Sequence, residues 1–442
     1  MKWAVLVVFF LLVPVLVSAL RSRPVSRPII WGALGFLPLV VDGLNLDVAP
    51  VSWAQWTGYI KGIEVTLVDV VALAIVISRP RIRGHLPFVG LWLLFAFTSF
   101  LSVFQSQLPT AALFAVWQAL RITLIFLAAA SICDDEQGPR ILLTGMSLGL
   151  ALNAGFSIFE RATGTIQAAG LYSHQNMLGM VSHFIAFPAA ALLLAGVRWR
   201  ALLLGVGAAI TVAILSASRG TIGLAGAGYI TLLGLSLVRY ATPRKWKIAG
   251  IGAVAMAIAA PLAISSLTLR FDNTEQTAQA YDERAAFEQA AKAMINDHPM
   301  GQGANQYVLA TNTKGYSDVG GVGYAAGSRS TNVHHSYLLV TAEQGYLGLV
   351  AFIALLAWPM LRAYHAAFAT RRSTYGELLL GCAMSISVVM LHVFYEWVFV
   401  TYEVQTLFAL TVGIIAGLLR KNARPAARVR TRPTAPDPVS AA

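Results

Sequence analysis

The chain has 442 residues, of which 57% are hydrophobic and 12% charged, and its mean hydropathy is +0.67. Soluble domains carry about 25% charged residues, so the composition excludes a soluble globular protein, and with it the collagen-like, disordered and disulfide-rich classes. It predicts an all-α polytopic membrane protein, and the net charge of +12 has to be read by where the cations fall.

Apolar segments suited to spanning fall at 3–20, 29–41, 65–77, 88–104, 111–132, 141–159, 177–197, 201–217, 221–238, 248–267, 345–361, 378–397 and 405–419. Several are shorter than the roughly 20 residues a bilayer asks for, so about 12–13 transmembrane helices are expected. When sides alternate, one set of loops gathers 22 of the 32 basic residues, including Arg21, Arg79, Arg81, Arg83, Arg198, Arg239, Lys245 and Arg371. The positive-inside rule assigns that set to the cytoplasm. The excess charge therefore sets orientation and is not a nucleic-acid footprint. A signal peptide ending near Val17-Ser18-Ala19 is the competing reading of the first segment. It would leave Arg21, Arg23 and Arg27 outside, against the charge rule. Cys133 and Cys382 lie in or beside apolar runs far apart and are expected to be free packing residues.

The chain thus divides into N-terminal transmembrane helices (1–170), a core (171–361), C-terminal transmembrane helices (362–419) and a basic tail (420–442). The tail has no apolar face to bury and is expected to be disordered and cytoplasmic. The core holds the one long loop, Thr268 to Ser336, on the side opposite the cations. A structureless loop of 69 residues is unusual and often functional. Within it, Asp282 to Ile295 is expected to be a helix, with Phe287, Ala291 and Met294 on one face and Glu288 four residues before Lys292. Gly320-Gly321-Val322-Gly323 is expected to be a mobile stretch ahead of His334 and His335.

Candidate chemistry clusters on the loop side. Ser218-Arg219-Gly220, at a span end, is either a snorkelling interfacial arginine or an anion ligand. Arg284 opens the loop helix as either a surface ion pair or a ligand. Gly170 to Asn176 is a turn rich in hydrogen-bonding side chains. Arg121, near the middle of its span, carries a burial cost of at least about 2.5 kcal/mol and needs Asp69 or a cavity as partner; structural and functional roles are both open. Adjacent histidines on a helix point about 100° apart, so His334 and His335 make a poor chelating pair and no metal is expected. Histidine is well suited to proton abstraction near neutral pH.

In order, these pieces resemble the O-antigen ligase and polymerase superfamily of bacterial envelope glycosyltransferases, from about Gly170 to Gly348. Gly170 to Asn176 matches its Gly-x5-Asn turn, and Ser218 to Gly220 its Ser-Arg-Gly. Arg284 precedes Asp297-His298-Pro299-Met300-Gly301-Gln302-Gly303, as in the family. Tyr337, Leu338, Glu343, Gly345 and Gly348 keep the closing register, which puts His334 at the catalytic histidine. His335 stands where Asn, Ser or Gln is usual.

The resemblance implies a GT-C-like enzyme of the bacterial inner membrane with its active site facing the periplasm. It implies a glycan donor on undecaprenyl diphosphate, an acceptor that is lipid A-core or another glycan, membrane lipids as neighbours, and no metal, cofactor or nucleic acid. His334 is then the base and Arg219 and Arg284 the diphosphate ligands, with His335, Asn176, Tyr337, Glu343 and Arg121 in supporting positions. An O-antigen ligase is the leading expectation. A polysaccharide polymerase is the alternative, and a protein O-oligosaccharyltransferase or a transporter stands further back.

Overall fold

The structure is a computed structural model that describes residues 2–79, 86–271 and 274–423. Arg81, Arg83 and the tail from 424 onward, with Arg424, Arg428, Arg430 and Arg432, lie outside the described residues. Described in chain order are α1 (Lys2–Ser22), α2 (Ser26–Phe36), β1 (Asp47–Ser52), β2 (Gly62–Thr66), α3 (Leu67–Ser78), α4 (Val89–Leu101), α5 (Pro109–Ile132) and α6 (Gly138–Ala162). Then come α7 (Gln175–Leu194), α8 (Arg200–Leu215), α9 (Arg219–Arg239), α10 (Pro243–Phe271), α11 (Thr274–Asp297), α12 (Tyr307–Thr313), α13 (Tyr316–Val319) and α14 (Ala326–Arg329). The chain closes with α15 (Ser336–Ala369), α16 (Thr374–His392) and α17 (Tyr402–Ala423). It is an all-α polytopic membrane architecture with, among the described residues, one small antiparallel hairpin, β1–β2.

Nine described helices are long and apolar enough to cross a membrane: α1, α5, α6, α7, α9, the Pro243–Leu262 part of α10, α15, α16 and α17. Three more, α3, α4 with its 3-10 extension to Gln105, and α8, are apolar but shorter. The segment expected at 29–41 is only the short α2 followed by a 3-10 turn, Leu37–Leu39. Helix starts follow local chemistry. The Thr66 hydroxyl accepts the Asp69 N–H at 3.4 Å while the Asp69 carboxylate accepts the Thr66 N–H at 2.8 Å, a reciprocal cap that opens α3. Proline sits in the first turn of α5 and α6, where its missing N–H costs nothing.

Side-chain contacts sort the helix ends into two groups. At one end, Lys2 reaches Ser52 (2.9 Å), the Asn305 side chain accepts the Ile60 N–H (3.0 Å), the Leu215 carbonyl accepts the Ala168 N–H (3.1 Å), and Asn176 meets Glu396 (2.6 Å). At the other end, Arg21 donates to the Ile77 carbonyl (2.8 Å), and Glu377 pairs with Arg239 and Lys245. The first group carries the hairpin and the 268–336 segment, and the second carries the basic connections, as alternation of charge predicts.

The core is built around α7 and α17, each with 89% of its most apolar stretch buried, against 11% for α1. α16 packs on α7 and α15, and α17 packs on α5. Cys133 and Cys382 are free and buried in this packing.

The 268–336 segment is ordered by its own contacts. Its helix is longer than expected, Thr274–Asp297 rather than 282–295, and it buries Phe287, Ala291 and Met294 as the periodicity predicts. Glu288 and Lys292 pair at 3.1 Å. Within the Gly320–Gly323 stretch, Gly320 and Val322 are docked, whereas Gly321 and Gly323 are exposed. Gly320 lies so close to α11 that a β-carbon would meet the Ala286 carbonyl at 2.5 Å, and Val322 is buried.

Candidate active site

The group that joins the expected residues is one that sequence reasoning passed over, Glu396. Hydropathy alone predicts a single span over the apolar run at 378–397. α16 instead ends at His392, and the chain then turns, so that Glu396 sits in the connection to α17 with only 4% of its surface exposed. Its Oε1 accepts from Asn176 Nδ2 at 2.6 Å and faces Arg284 Nη2 at 3.4 Å, while its Oε2 lies 3.3 Å from His334 Nδ1. The Ser336 hydroxyl donates to the Glu396 carbonyl (2.6 Å) and the Ser336 N–H to the Val393 carbonyl (2.9 Å). These two bonds pin the start of α15 to the end of α16. Burial opposes the Glu396 charge, but the hydrogen bond and charge of His334, followed by the charges of Arg284 and His392, hold its carboxyl below the usual range.

One carboxylate therefore collects residues from α7, α11 and the α14–α15 connection. Arg284 and His334 stay partly open to solvent, at 39% and 19% side-chain exposure. Phe287 stands beside the His334 ring, with centroids 6.3 Å apart.

Arg219 is the exposed first residue of α9, after a tight turn in which Ala217 takes φ +47° and Ser218 caps the helix. The next residue, Gly220, faces His392. A β-carbon there would lie 3.3 Å from the imidazole Nε2, so α9 begins against the last residue of α16, four positions before Glu396. A helix N-terminus with an arginine in its first turn suits an anion.

His335 has a different role from His334. It caps α15, its Nδ1 accepting the Leu338 N–H at 3.3 Å, with its ring packed on Tyr337 and Phe394. Burial pushes its pKa down, which keeps Nδ1 unprotonated and able to accept. Asn and Ser are favoured caps, which accounts for their use at this position in the family pattern. The two rings diverge because His335 is extended (φ −161°, ψ 97°) rather than helical.

Of the other supporting residues, Asn176 joins the Glu396 group and three do not. Tyr337 donates to the Met390 carbonyl (3.0 Å) and packs on Phe352 and Phe394. Glu343 is buried, accepting from Tyr59 Oη (2.6 Å) and the Tyr307 N–H (3.0 Å). Arg121 answers both halves of its expectation. It pairs with Asp69 (2.8 Å) and Glu64 (3.1 Å), stacks over the Tyr402 ring (4.0 Å), and borders an apolar cavity of about 260 Å³ between α1, α3 and α5.

The glycine motifs form a lock beside this site. The carbonyls of Ala342 and Glu343 accept the Gln302 and Gly303 N–H groups (3.0 and 2.8 Å), and Pro299 accepts from Tyr346 (3.1 Å). Gly345 takes φ 69°, ψ −173°, a conformation nearly restricted to glycine, and kinks α15 where a β-carbon would meet the Pro299 carbonyl at 2.6 Å. His298-Pro299 to Gly303 and Glu343 to Gly348 are thus two halves of one joint.

Residues 204–353, from within α8 to within α15, match the family model described as O-antigen ligase. That match, over 150 of the 442 residues, supports a relationship of this segment to the O-antigen ligase-related superfamily. The matched residues include Arg219, Arg284 and His334, whereas Asn176 and Glu396 lie outside them. No curated protein matches the chain.

Proposed function

We propose that the protein is a metal-independent inverting glycosyltransferase of the bacterial inner membrane. It moves a glycan from undecaprenyl diphosphate to an acceptor hydroxyl at the periplasmic face, most simply as an O-antigen ligase whose acceptor is lipid A-core. The observation that carries this reading is the convergence of Arg284 and His334, 50 positions apart in sequence, on one buried carboxylate. It puts a permanent cation and a proton acceptor at a partly open surface on the end of the bundle opposite the basic loops. The positive-inside rule assigns that end to the periplasm.

In this reading Arg219 and Arg284 bind the donor diphosphate, because guanidinium forks match phosphate oxygens and keep their charge. His334 accepts the proton of the acceptor hydroxyl as its oxygen attacks the anomeric carbon from the face opposite the leaving group. The bond from that carbon to the diphosphate oxygen breaks, its electron pair leaves with the diphosphate, and the anomeric configuration inverts. The arginines stabilise the charge that develops on the leaving group.

The test is the polysaccharide profile of a deletion strain complemented with wild type, Arg219→Lys or Arg284→Lys. Ligase loss leaves bare core and long lipid-linked chains; single repeats on core would assign a polymerase instead. Both lysine variants are expected to impair transfer at normal protein level, because they keep charge but lose the fork. Near-normal transfer in both would remove the arginines from donor binding.

A further inference from the structure

Resting on that reading of His334 and Arg284, we propose that Glu396 is the positioning residue of His334. We further propose that the donor diphosphate, by drawing Arg284 away from Glu396, readies the base only when the donor is in place. An ionised carboxylate only accepts hydrogen bonds, so the Glu396 Oε2 contact keeps the proton of neutral His334 on Nδ1 and leaves the Nε2 lone pair for the acceptor hydroxyl. Without that contact the tautomer is unassigned and the ring is free to turn.

The bond lengths separate what is fixed from what can exchange. Asn176 holds the carboxylate at 2.6 Å and Ser336 holds its backbone carbonyl at 2.6 Å, both from buried positions. Arg284 reaches it at 3.4 Å from a side chain that is 39% exposed. A diphosphate offers more negative charge and more acceptor oxygens than one carboxylate, so it takes Arg284 while Asn176 and Ser336 keep Glu396 where it is.

The charged or titratable groups that face Glu396 are Arg284 from α11, His334 ahead of α15 and His392 from α16; Asn176 from α7 is neutral. Before the donor arrives, Arg284 shares the carboxylate charge. Afterwards that charge acts on His334, favours its imidazolium and strengthens it as a base. Neither Glu396 nor Asn176 falls in the segment matched by the family model, so this control is built from the flanking helices.

The experiment uses the full chain reconstituted with purified lipid-linked donor and acceptor. It reads kcat, donor KM and their pH profiles for wild type, Glu396→Gln, Glu396→Asp and His334→Ala. Activity rises with pH as the base loses its proton. The acid limb of kcat reports donor-bound enzyme and that of kcat/KM reports free enzyme, so in wild type the kcat limb is expected at the higher pH. A glutamine can present its amide N–H to His334 Nδ1 and force the wrong tautomer. Glu396→Gln is therefore expected to lower kcat about 10²-fold, within the range of general-base contributions. Its donor KM should be no higher than wild type, both limbs should lie at lower pH, and the gap between them should narrow. Glu396→Asp is expected to recover part of kcat and keep the gap, and it carries the same readout if the glutamine variant accumulates poorly. Wild-type turnover in Glu396→Gln with His334→Ala inactive overturns the role of Glu396 and leaves the base. So does a fall in kcat with unmoved limbs or a raised KM. Activity in His334→Ala overturns the base reading itself.

Discussion

The two ends of α16 each bury a glutamate that meets two basic side chains, and they differ in slack. Glu377, in its first turn, sits 2.7 Å from both Arg239 and Lys245 and accepts from Ser236 at 2.9 Å. Arg239 spends its remaining donors on the carbonyls of Ala367 and Thr370, and Lys245 on those of Ser236 and Tyr240. The side chains that meet Glu377 there, Arg239, Lys245 and Ser236, are all buried. Glu396, past the other end, is just as buried, yet His334 and Arg284 stand at 3.3 and 3.4 Å from it and are partly open. The same chemistry closes a structure in one place and leaves exchangeable contacts in the other. Burial of the carboxylate alone does not mark a site; the exposure and distance of its partners do.

The largest expected effect separates the two ends outright. His334→Ala should abolish transfer, by about 10²–10⁴-fold, with normal protein level and donor binding, because a general base acts mainly in the transition state. Measured with purified lipid-linked donor, turnover within a few-fold of wild type would erase the distinction. At the closed end, Glu377→Ala strands two buried cations, a loss of about 3–5 kcal/mol. It should appear as a lower melting temperature and less accumulated protein, with activity per folded molecule retained. Wild-type thermal stability in that variant would mean the cluster is not structural.

Smaller in effect, Gly345→Ala forces a β-carbon against Pro299 and strains a glycine-only conformation, costing about 1–3 kcal/mol. Its stability loss should be matched by Gly301→Ala on the other half of the joint, and the double variant should cost less than the sum of the two. Smallest of all is His335→Asn, which exchanges one capping acceptor for another. Substantial activity is expected there, and an inactive, well-folded His335→Asn alongside an active His334→Ala would reverse the assignment of the two histidines.

Much of this was legible in the sequence for identifiable reasons. Hydropathy located the helices because a bilayer demands long apolar runs, and the period of Phe287, Ala291 and Met294 predicted the buried face of α11. The same averaging hid Glu396. A window over 378–397 is apolar enough to absorb one acid, although an ionisable His392 and Glu396 within an apolar run are themselves a signal of function. The hairpin was missed because β1 carries Pro50, its register is interrupted between Val48 and Val51, and no Asn-Gly or Asp-Gly turn joins it to β2. Glu343 and Tyr337 kept the family register, but register alone did not reveal that their polar atoms face Tyr59, Tyr307 and Met390 rather than the Glu396 group.

The stacking of Arg121 beneath Tyr402 has a consequence for how the chain is made. Glu64, Asp69 and Arg121 are synthesised close together, so the ion pairs that let a guanidinium enter the bilayer can form while most of the protein is still unmade. Tyr402, which also hydrogen-bonds Asp69 at 3.1 Å and Thr66 at 2.8 Å, leaves the ribosome after a delay of about 14–56 s at ordinary elongation rates of roughly 5–20 residues per second. Through that interval the α3–α5 face that α17 will cover is bare. Until α17 arrives, the ion pair of Arg121 and Asp69 lacks the ring and hydroxyl of Tyr402 that complete it.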